Sequence, residues 1–316
     1  MKIPVITVFL FLFFHPLVYS QQEAQFSHNM FNNMGINPGF AGLRNAICGT
    51  ALARQQWVGF QDEDDNQLNP ETYSLNVDAP IPFLKGGVAL GFIQDRLGFE
   101  TNIGAKISYS YHLAMNDGVL GLGAQVGFID KRIDFSKFRP INDGDPALTS
   151  GAEETHMFMD FALGGFYQMN NQTWTGISVS QLREASAEVG TSTYSLKRHL
   201  FLSGGTQIAL PGSPSFALRP SLLAKTDFSS LQFDINTLVI YNNQFWGGVS
   251  YRPQDALVFL FGLQLDQISV GYSYDLTTSA LGSNGRGFGS HEIMLQYCFQ
   301  LDVERIQEIQ RNIRFL

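Results

Sequence analysis

Asn37-Pro38-Gly39-Phe40-Ala41-Gly42-Leu43-Arg44-Asn45-Ala46-Ile47-Cys48-Gly49-Thr50-Ala51-Leu52-Ala53-Arg54-Gln55-Gln56-Trp57-Val58-Gly59-Phe60 carries the two signals on which the fold turns. Asn37-Pro38-Gly39 is turn chemistry, because proline fixes φ and glycine permits positive φ. Beyond the turn, the residues from Gly49 to Trp57 alternate as a strand. Leu52, Arg54 and Gln56 share one face; Ala51, Ala53, Gln55 and Trp57 share the other. An arginine in mid-strand needs water or a partner. A tryptophan near a strand end suits an interface that is apolar on one side and wet on the other. The stretch reads as the first strand of a membrane β-barrel, entered from the periplasm.

Working outward, residues 1–20 read as a secretory signal: Lys2 is the charged start, Val5 to Phe14 the apolar core, and Val18-Tyr19-Ser20 the cleavage site. The apolar run is too short to span a bilayer, and His15-Pro16 interrupts its end. The mature chain then begins at Gln21. Loss of Lys2 takes the formal net charge from −8 to −9, which excludes nucleic acid as a partner because few cations remain to neutralise phosphates. No later stretch approaches the roughly 18 apolar residues of a membrane helix. Only 15% of residues are charged, against about 25% in ordinary globular chains. Together with 31 glycines and 27 phenylalanines, this fits a barrel with an apolar, aromatic lipid face and a small or polar lumen face. A secreted β-sandwich is the competing class.

Alternation and turn residues give fourteen strands. They are Gly49–Val58, Glu71–Ala79, Gly86–Gln94, Asn102–Leu113, Val119–Ile133, Met157–Gln168, Thr173–Leu182, Leu196–Leu210, Ser215–Asp227, Leu231–Tyr241, Phe245–Tyr251, Ala256–Leu265, Ile268–Leu276 and His291–Phe299. An even count suits a single-chain bacterial barrel. The four long polar connections, 61–70, 134–156, 183–195 and 277–290, each join an odd strand to the next even one. With both termini periplasmic, all four face outside and the tight turns face the periplasm. The expected organisation is a signal peptide (1–20), an N-terminal periplasmic or lumenal segment (21–48), an all-β antiparallel outer-membrane barrel of about 14 strands (49–299) and a short helical periplasmic tail (300–316). In the N-terminal segment, Phe26, Met30, Phe31 and Met34 have helical spacing. In the tail, Val303, Ile306, Ile309 and Ile313 do.

The end segments carry a resemblance. Phe26-Ser27-His28-Asn29-Met30-Phe31-Asn32, Asn37-Pro38-Gly39-Phe40-Ala41-Gly42 and Arg54-Gln55-Gln56-Trp57 resemble the start of the PorP/SprF family. These are outer-membrane proteins of the Bacteroidota type IX secretion and gliding machinery. Ser290-His291-Glu292-Ile293, with its alternating aromatic ending, resembles the family's last strand. Family members usually read Asn-Pro-Ala-(aromatic)-Ala-Gly where this chain has Gly39. The resemblance implies an outer-membrane component that supports export and surface anchoring of cargo. Its implied partners are cargo proteins with a type B C-terminal sorting domain, a periplasmic peptidoglycan-binding lipoprotein and outer-membrane lipids. The alternative is an outer-membrane channel for small solutes or hydrophobic compounds.

No catalytic constellation is evident, so no enzyme activity and no cofactor are expected. A barrel hydrolase would need a serine, a histidine and an orienting carboxylate or amide to converge, and nothing in the sequence locates such a trio. The acidic runs 62–66, 142–145 and 153–154 hold oxygen ligands that suit calcium, against the plainer reading of solvated loops. Gly282 to Gly289 is glycine-rich, but no helix follows to build a phosphate site. The Asn171-Gln172-Thr173 sequon falls in a tight turn. The residues assigned inward, Arg54, Lys106, Asp160, Arg219, Lys225, Asp227, Asp234, Asp275 and Glu292, have mixed signs and can pair across the lumen. Trp57 is placed at the outer lipid interface. Cys48 and Cys298 are nearly the whole chain apart, yet the first and last strands of a closed barrel are neighbours. Both cysteines are therefore expected at the seam, at similar depth and pointing inward. A disulfide there is open to them, as is a state of two adjacent free thiols.

Overall fold

The structure, a computed structural model, describes residues 23–61, 67–138, 153–170, 172–189, 192–279 and 289–300. The signal segment, the acidic runs 62–66 and 142–145, most of the glycine-rich run, Asn171 and the tail beyond Gln300 lie outside the described residues. The strands are β1 (Ala46–Gln55), β2 (Glu71–Ile81), β3 (Gly86–Leu97), β4 (Glu100–Met115), β5 (Gly118–Asp134), β6 (Glu153–Met169) and β7 (Thr173–Ser180). After a small hairpin, β8 (Ser186–Val189) and β9 (Ser192–Ser195), follow β10 (His199–Thr206), β11 (Ile208–Ala209), β12 (Phe216–Thr226), β13 (Leu231–Tyr241), β14 (Phe245–Arg252), β15 (Ala256–Leu265), β16 (Ile268–Thr277) and β17 (Ser290–Gln300).

All but the β8–β9 hairpin form one antiparallel sheet of 15 strands, each paired with its sequence neighbour. β11 continues β10, since both pair with β12, so the wall is crossed fourteen times. The first and last strands close it: β1 pairs with β17 from Ala46↔Gln300 to Gln55↔His291. Closure removes the sheet edges that would otherwise leave backbone groups unpaired in lipid.

The burial pattern separates this barrel from a soluble sandwich. Along β2, Thr72, Ser74, Asn76 and Asp78 are buried, while Tyr73, Leu75 and Val77 are exposed. The same inversion recurs around the wall. Phe92, Ile107, Phe128, Ile235, Phe261 and Ile293 point out, while Ser108, Gln125, Asn236, Ser273 and Glu292 point in. A continuous apolar belt facing water would be far larger than soluble monomers carry; facing lipid, it is the required surface. No helix among the described residues is long and apolar enough to cross a membrane, and the crossing is made by strands. The four longest connections, 56–70, 135–152, 181–198 and 278–289, all lie at one end. The opposite end carries tight turns such as 116–117 and 266–267.

Three details differ from the expectation. β1 begins at Ala46 and ends at Gln55, not Gly49 to Val58. Trp57 has φ +48°, which breaks the alternation, and its ring lies edge-on to Phe60 at the long-loop rim. β7 ends at Ser180 because Gln181 turns left-handed, at φ +54°. Asp227 does not face the lumen; it caps the β12–β13 turn, accepting bonds from the amides of Ser229 and Ser230. Its partial burial works against ionisation, but those amides and the Ser230 hydroxyl outweigh it and hold the carboxyl below its ordinary range.

Candidate functional site

The lumen is filled by residues 23–45, here called the plug. Its helical spacing does not produce a continuous helix. It winds through a 3-10 turn at Asn29–Phe31, a single α-turn at Asn33–Ile36 and a 3-10 turn at Pro38–Phe40. The wall makes this possible by supplying partners for backbone groups that a helix would pair internally. Lys106 Nζ donates to Gly35 O at 2.6 Å, Ser178 Oγ to Ile36 O at 2.6 Å and Ser110 Oγ to Gly39 O at 2.9 Å. His112 Nε2 lies 2.9 Å from Ala41 O.

The plug runs the length of the barrel. Glu23 accepts bonds from Ser180 and Gln181 at the long-loop end. Arg44 pairs with Asp78, near the opposite end, where the chain turns into β1. The described segment therefore starts at the long-loop mouth and descends to the short-turn end, where β1 begins. The tight seating of Asn37-Pro38-Gly39 explains its composition. Gly39 is not among the positive-φ residues; a Cβ there would lie 2.7 Å from Gly121 O and 2.9 Å from Phe166 N. The wall reciprocates, since a Cβ on Gly123 would meet Pro38 C at 2.2 Å. Close backbone approach, rather than turn geometry, demands glycine at position 39. The left-handed residues of the plug are Gly42, at φ +73°, and Asn45, at φ +53°.

Toward the long-loop end the plug is held by buried charges. Glu292, on β17, accepts from Ser27 N at 2.7 Å, His28 N at 2.8 Å and Arg54 at 3.3 Å, and its Oε1 lies 2.8 Å from His28 Nδ1. Arg54 bonds Asp275 at 2.8 Å and Ser27 Oγ at 2.8 Å. Arg252 bridges Asp234 at 2.5 Å, Asp255 at 3.0 Å and Asp275 at 3.5 Å. Gln25 donates to Asp234 at 2.8 Å and accepts from Lys225 Nζ. Arg54, Arg252, Glu292, Asp234 and Asp275 are each no more than 3% exposed. Charges this deep persist only when paired, and each arginine here has at least two carboxylate partners. This cluster fixes the plug to β1, β12, β13, β16 and β17, with Arg252 of β14 bridging its acids.

Of the residues expected to line the lumen, Arg54, Lys225, Asp234, Asp275 and Glu292 belong to this latch. Lys106 holds the plug backbone at mid-height. Asp160 is buried in the wall of β6, apart from the latch. Arg219 lies nearer the short-turn end, its guanidinium over the rings of Phe31 and Trp174. Cys48 and Cys298 face each other in register and are joined by a disulfide across the seam, with Cα atoms 4.1 Å apart. Sequence reasoning missed His28, Arg252 and Lys131. Arg252 follows the expected end of its strand, but its parity with Trp246 and Ser250 marks it inward. Lys131, on β5, pairs with Glu100 and sits 3.9 Å from the ring centre of Tyr194 in the β8–β9 hairpin. Among the described residues no group of three or more His, Cys, Asp or Glu side chains could hold a metal.

The outer-membrane barrels among solved structures share this architecture. The Ralstonia pickettii toluene transporter TbuX is 11% identical, with a TM-score of 0.50, over 84% of this chain and 93% of that one. The Acinetobacter baumannii outer membrane protein Omp33 is 10% identical, with a TM-score of 0.42, over 82% and 100%. A Pseudomonas aeruginosa FadL homologue is 10% identical, with a TM-score of 0.42, over 81% and 89%. At these identities the likeness is one of fold. No curated protein matches. The model of the family described as type IX secretion system membrane protein PorP/SprF matches residues 18–297, a span that takes in the plug, the latch and all but the end of β17. The chain belongs to the PorP/SprF family and is an outer-membrane component of the type IX secretion system.

Proposed function

We propose that this protein acts as a closed anchor. It holds cargo bearing a type B C-terminal sorting domain at its long-loop face and meets a periplasmic peptidoglycan-binding lipoprotein at its short-turn face. The role is binding, with no covalent chemistry. The observation that carries this reading is the filled lumen. A plug latched by buried, mutually paired charges leaves the two rims as the surfaces that can do work. In this reading the long loops face outside, as barrels of this class present them, and the start of the plug faces outside with them.

The test is gentle extraction from native outer membranes followed by identification of what co-purifies. A cargo sorting domain or a periplasmic lipoprotein supports the anchor; isolation of the barrel alone, under conditions that keep other complexes of the machine intact, counts against it. Conductance in liposomes addresses the rival channel. A closed wild-type barrel fits the anchor, and steady solute flux would favour the channel.

A further inference from the structure

Arg219 is an inward cation that, among the described residues, has neither an acidic partner nor a hydrogen bond to the plug. It projects from β12 into a cavity of about 170 Å³ between the plug and the wall, near the short-turn end. Its guanidinium carbon lies 5.8 Å from the ring centre of Phe31 and 5.6 Å from that of Trp174. Its Nε is buried with no hydrogen-bond partner. A second arginine, Arg44, lines the same cavity, stacked 5.5 Å over Phe40, and its Nε is likewise buried and unpartnered. Arg44 has Asp78 as counter-ion. Among the described residues no acid lines the cavity, whereas Phe31, Phe40, Phe166 and Trp174 all do.

Arg219 is half-buried; an arginine whose Nε is out of water and unpaired, with no counter-ion, is costly, and stacking on two rings offsets only part of that cost. The arrangement is preorganised for an anion, and guanidinium presents its donors as a fork that matches a carboxylate. The aromatic walls ask for an apolar body on that anion. The volume sets its size, since a cavity of roughly 150 Å³ admits a benzene ring. Thr173 lies on the exposed rim beside the β6–β7 turn and also lines the cavity, so the cavity reaches the short-turn face.

We propose that this cavity is a binding site for a small aromatic monocarboxylate, with Arg219 receiving the carboxylate and Phe31 and Trp174 flanking the ring. The site opens at the short-turn face, but its test uses the isolated protein and a small ligand and does not depend on the anchoring reading. The full-length protein in detergent is titrated with sodium benzoate while tryptophan emission is followed, with benzyl alcohol and sodium chloride as matched controls. Saturable quenching by benzoate, at least about tenfold weaker with either control, is expected. Arg219→Met should lose this response, and Arg219→Lys should weaken it, because charge is kept but the fork is lost. Retained heat-modifiability in both variants shows that the barrel still folds. Three results would overturn the proposal: no saturable response to benzoate, equal binding of benzyl alcohol or chloride, or undiminished benzoate binding by Arg219→Met. If both variants fail to fold, Trp174→Phe provides the second check. It removes the tryptophan beside Arg219 and should abolish the benzoate-dependent emission change; an unaltered change would place the ligand elsewhere.

Discussion

Replacing Glu292 by alanine is the most direct test of the latch. The side chain is fully buried and accepts two backbone amides of the plug, the imidazole of His28 and one arm of Arg54. Removing it strands two amide donors and leaves Arg54 with Asp275 as its remaining carboxylate. Breaking a buried ion pair by deleting one partner costs about 3–5 kcal/mol, and each buried donor left unpaired adds about 1–3 kcal/mol unless water reaches it. Water can enter from the long-loop mouth, so we take the lower range, about 3–5 kcal/mol. The wall itself should survive, because β17 keeps its ladders to β1 and β16. The loss therefore falls on plug seating and shifts the seated-to-unseated ratio by about a hundredfold to several thousandfold. Planar-bilayer recording should find Glu292→Ala conducting in bursts where wild type is closed, with a lowered temperature for the heat-modifiability shift. Glu292→Gln, which keeps an acceptor for one of the two amides but loses the second acceptor and the charge, should fall between the two. A Glu292→Ala protein as closed and as heat-resistant as wild type would refute the idea that these charges hold the plug.

Three further outcomes are expected. Gly123→Val puts side-chain atoms where Pro38 and Gly39 lie; it should unseat the plug and open the lumen, while the strands, paired outside that contact, still migrate as a folded barrel on unheated gels. Cys48→Ser removes a link that closes a 250-residue span, worth at most about 5 kcal/mol by the chain-entropy model. Its heat-modifiability midpoint should fall to that of reduced wild type, and equal midpoints for oxidised and reduced wild type would contradict the stabilisation. For orientation, Thr278→Cys should react with an impermeant maleimide on intact cells, and Asn243→Cys only after the outer membrane is breached. The reverse pattern would invert the assigned topology.

The wall was legible because lipid imposes period two on every strand that crosses it, as β4, β13 and β16 display along their whole length. Loop parity then gathered the four long connections at one end of the sheet. The plug was less legible. Phe26, Met30 and Met34 are buried, as a helix would bury them, but the same spacing arises when a chain winds in short turns against a wall that satisfies its backbone. Arg54 and Glu292 announced themselves as charges in mid-strand. Their partner His28 did not, because a histidine before the first strand carries no periodicity. The demand for glycine at position 39 was visible, but its cause was not, since close approach to Gly121 and Gly164 is a property of strands far along the chain. The end of β1 was less legible, because the left-handed residue at Trp57 ends the alternation there.

The latch also has a consequence for biogenesis. Ser27 and His28 are among the earliest residues of the described chain, and their acceptor Glu292 stands on the final strand, 265 and 264 positions away. The plug cannot be locked until the last hairpin has joined the first strand at the seam. Before that moment the entering segment has wall contacts but no anchor. Completion of the cylinder and closure of its interior thus become a single late event, and an unfinished barrel lacks the carboxylate that would seal it. Chain order makes the seal a report on whether the whole sequence has arrived.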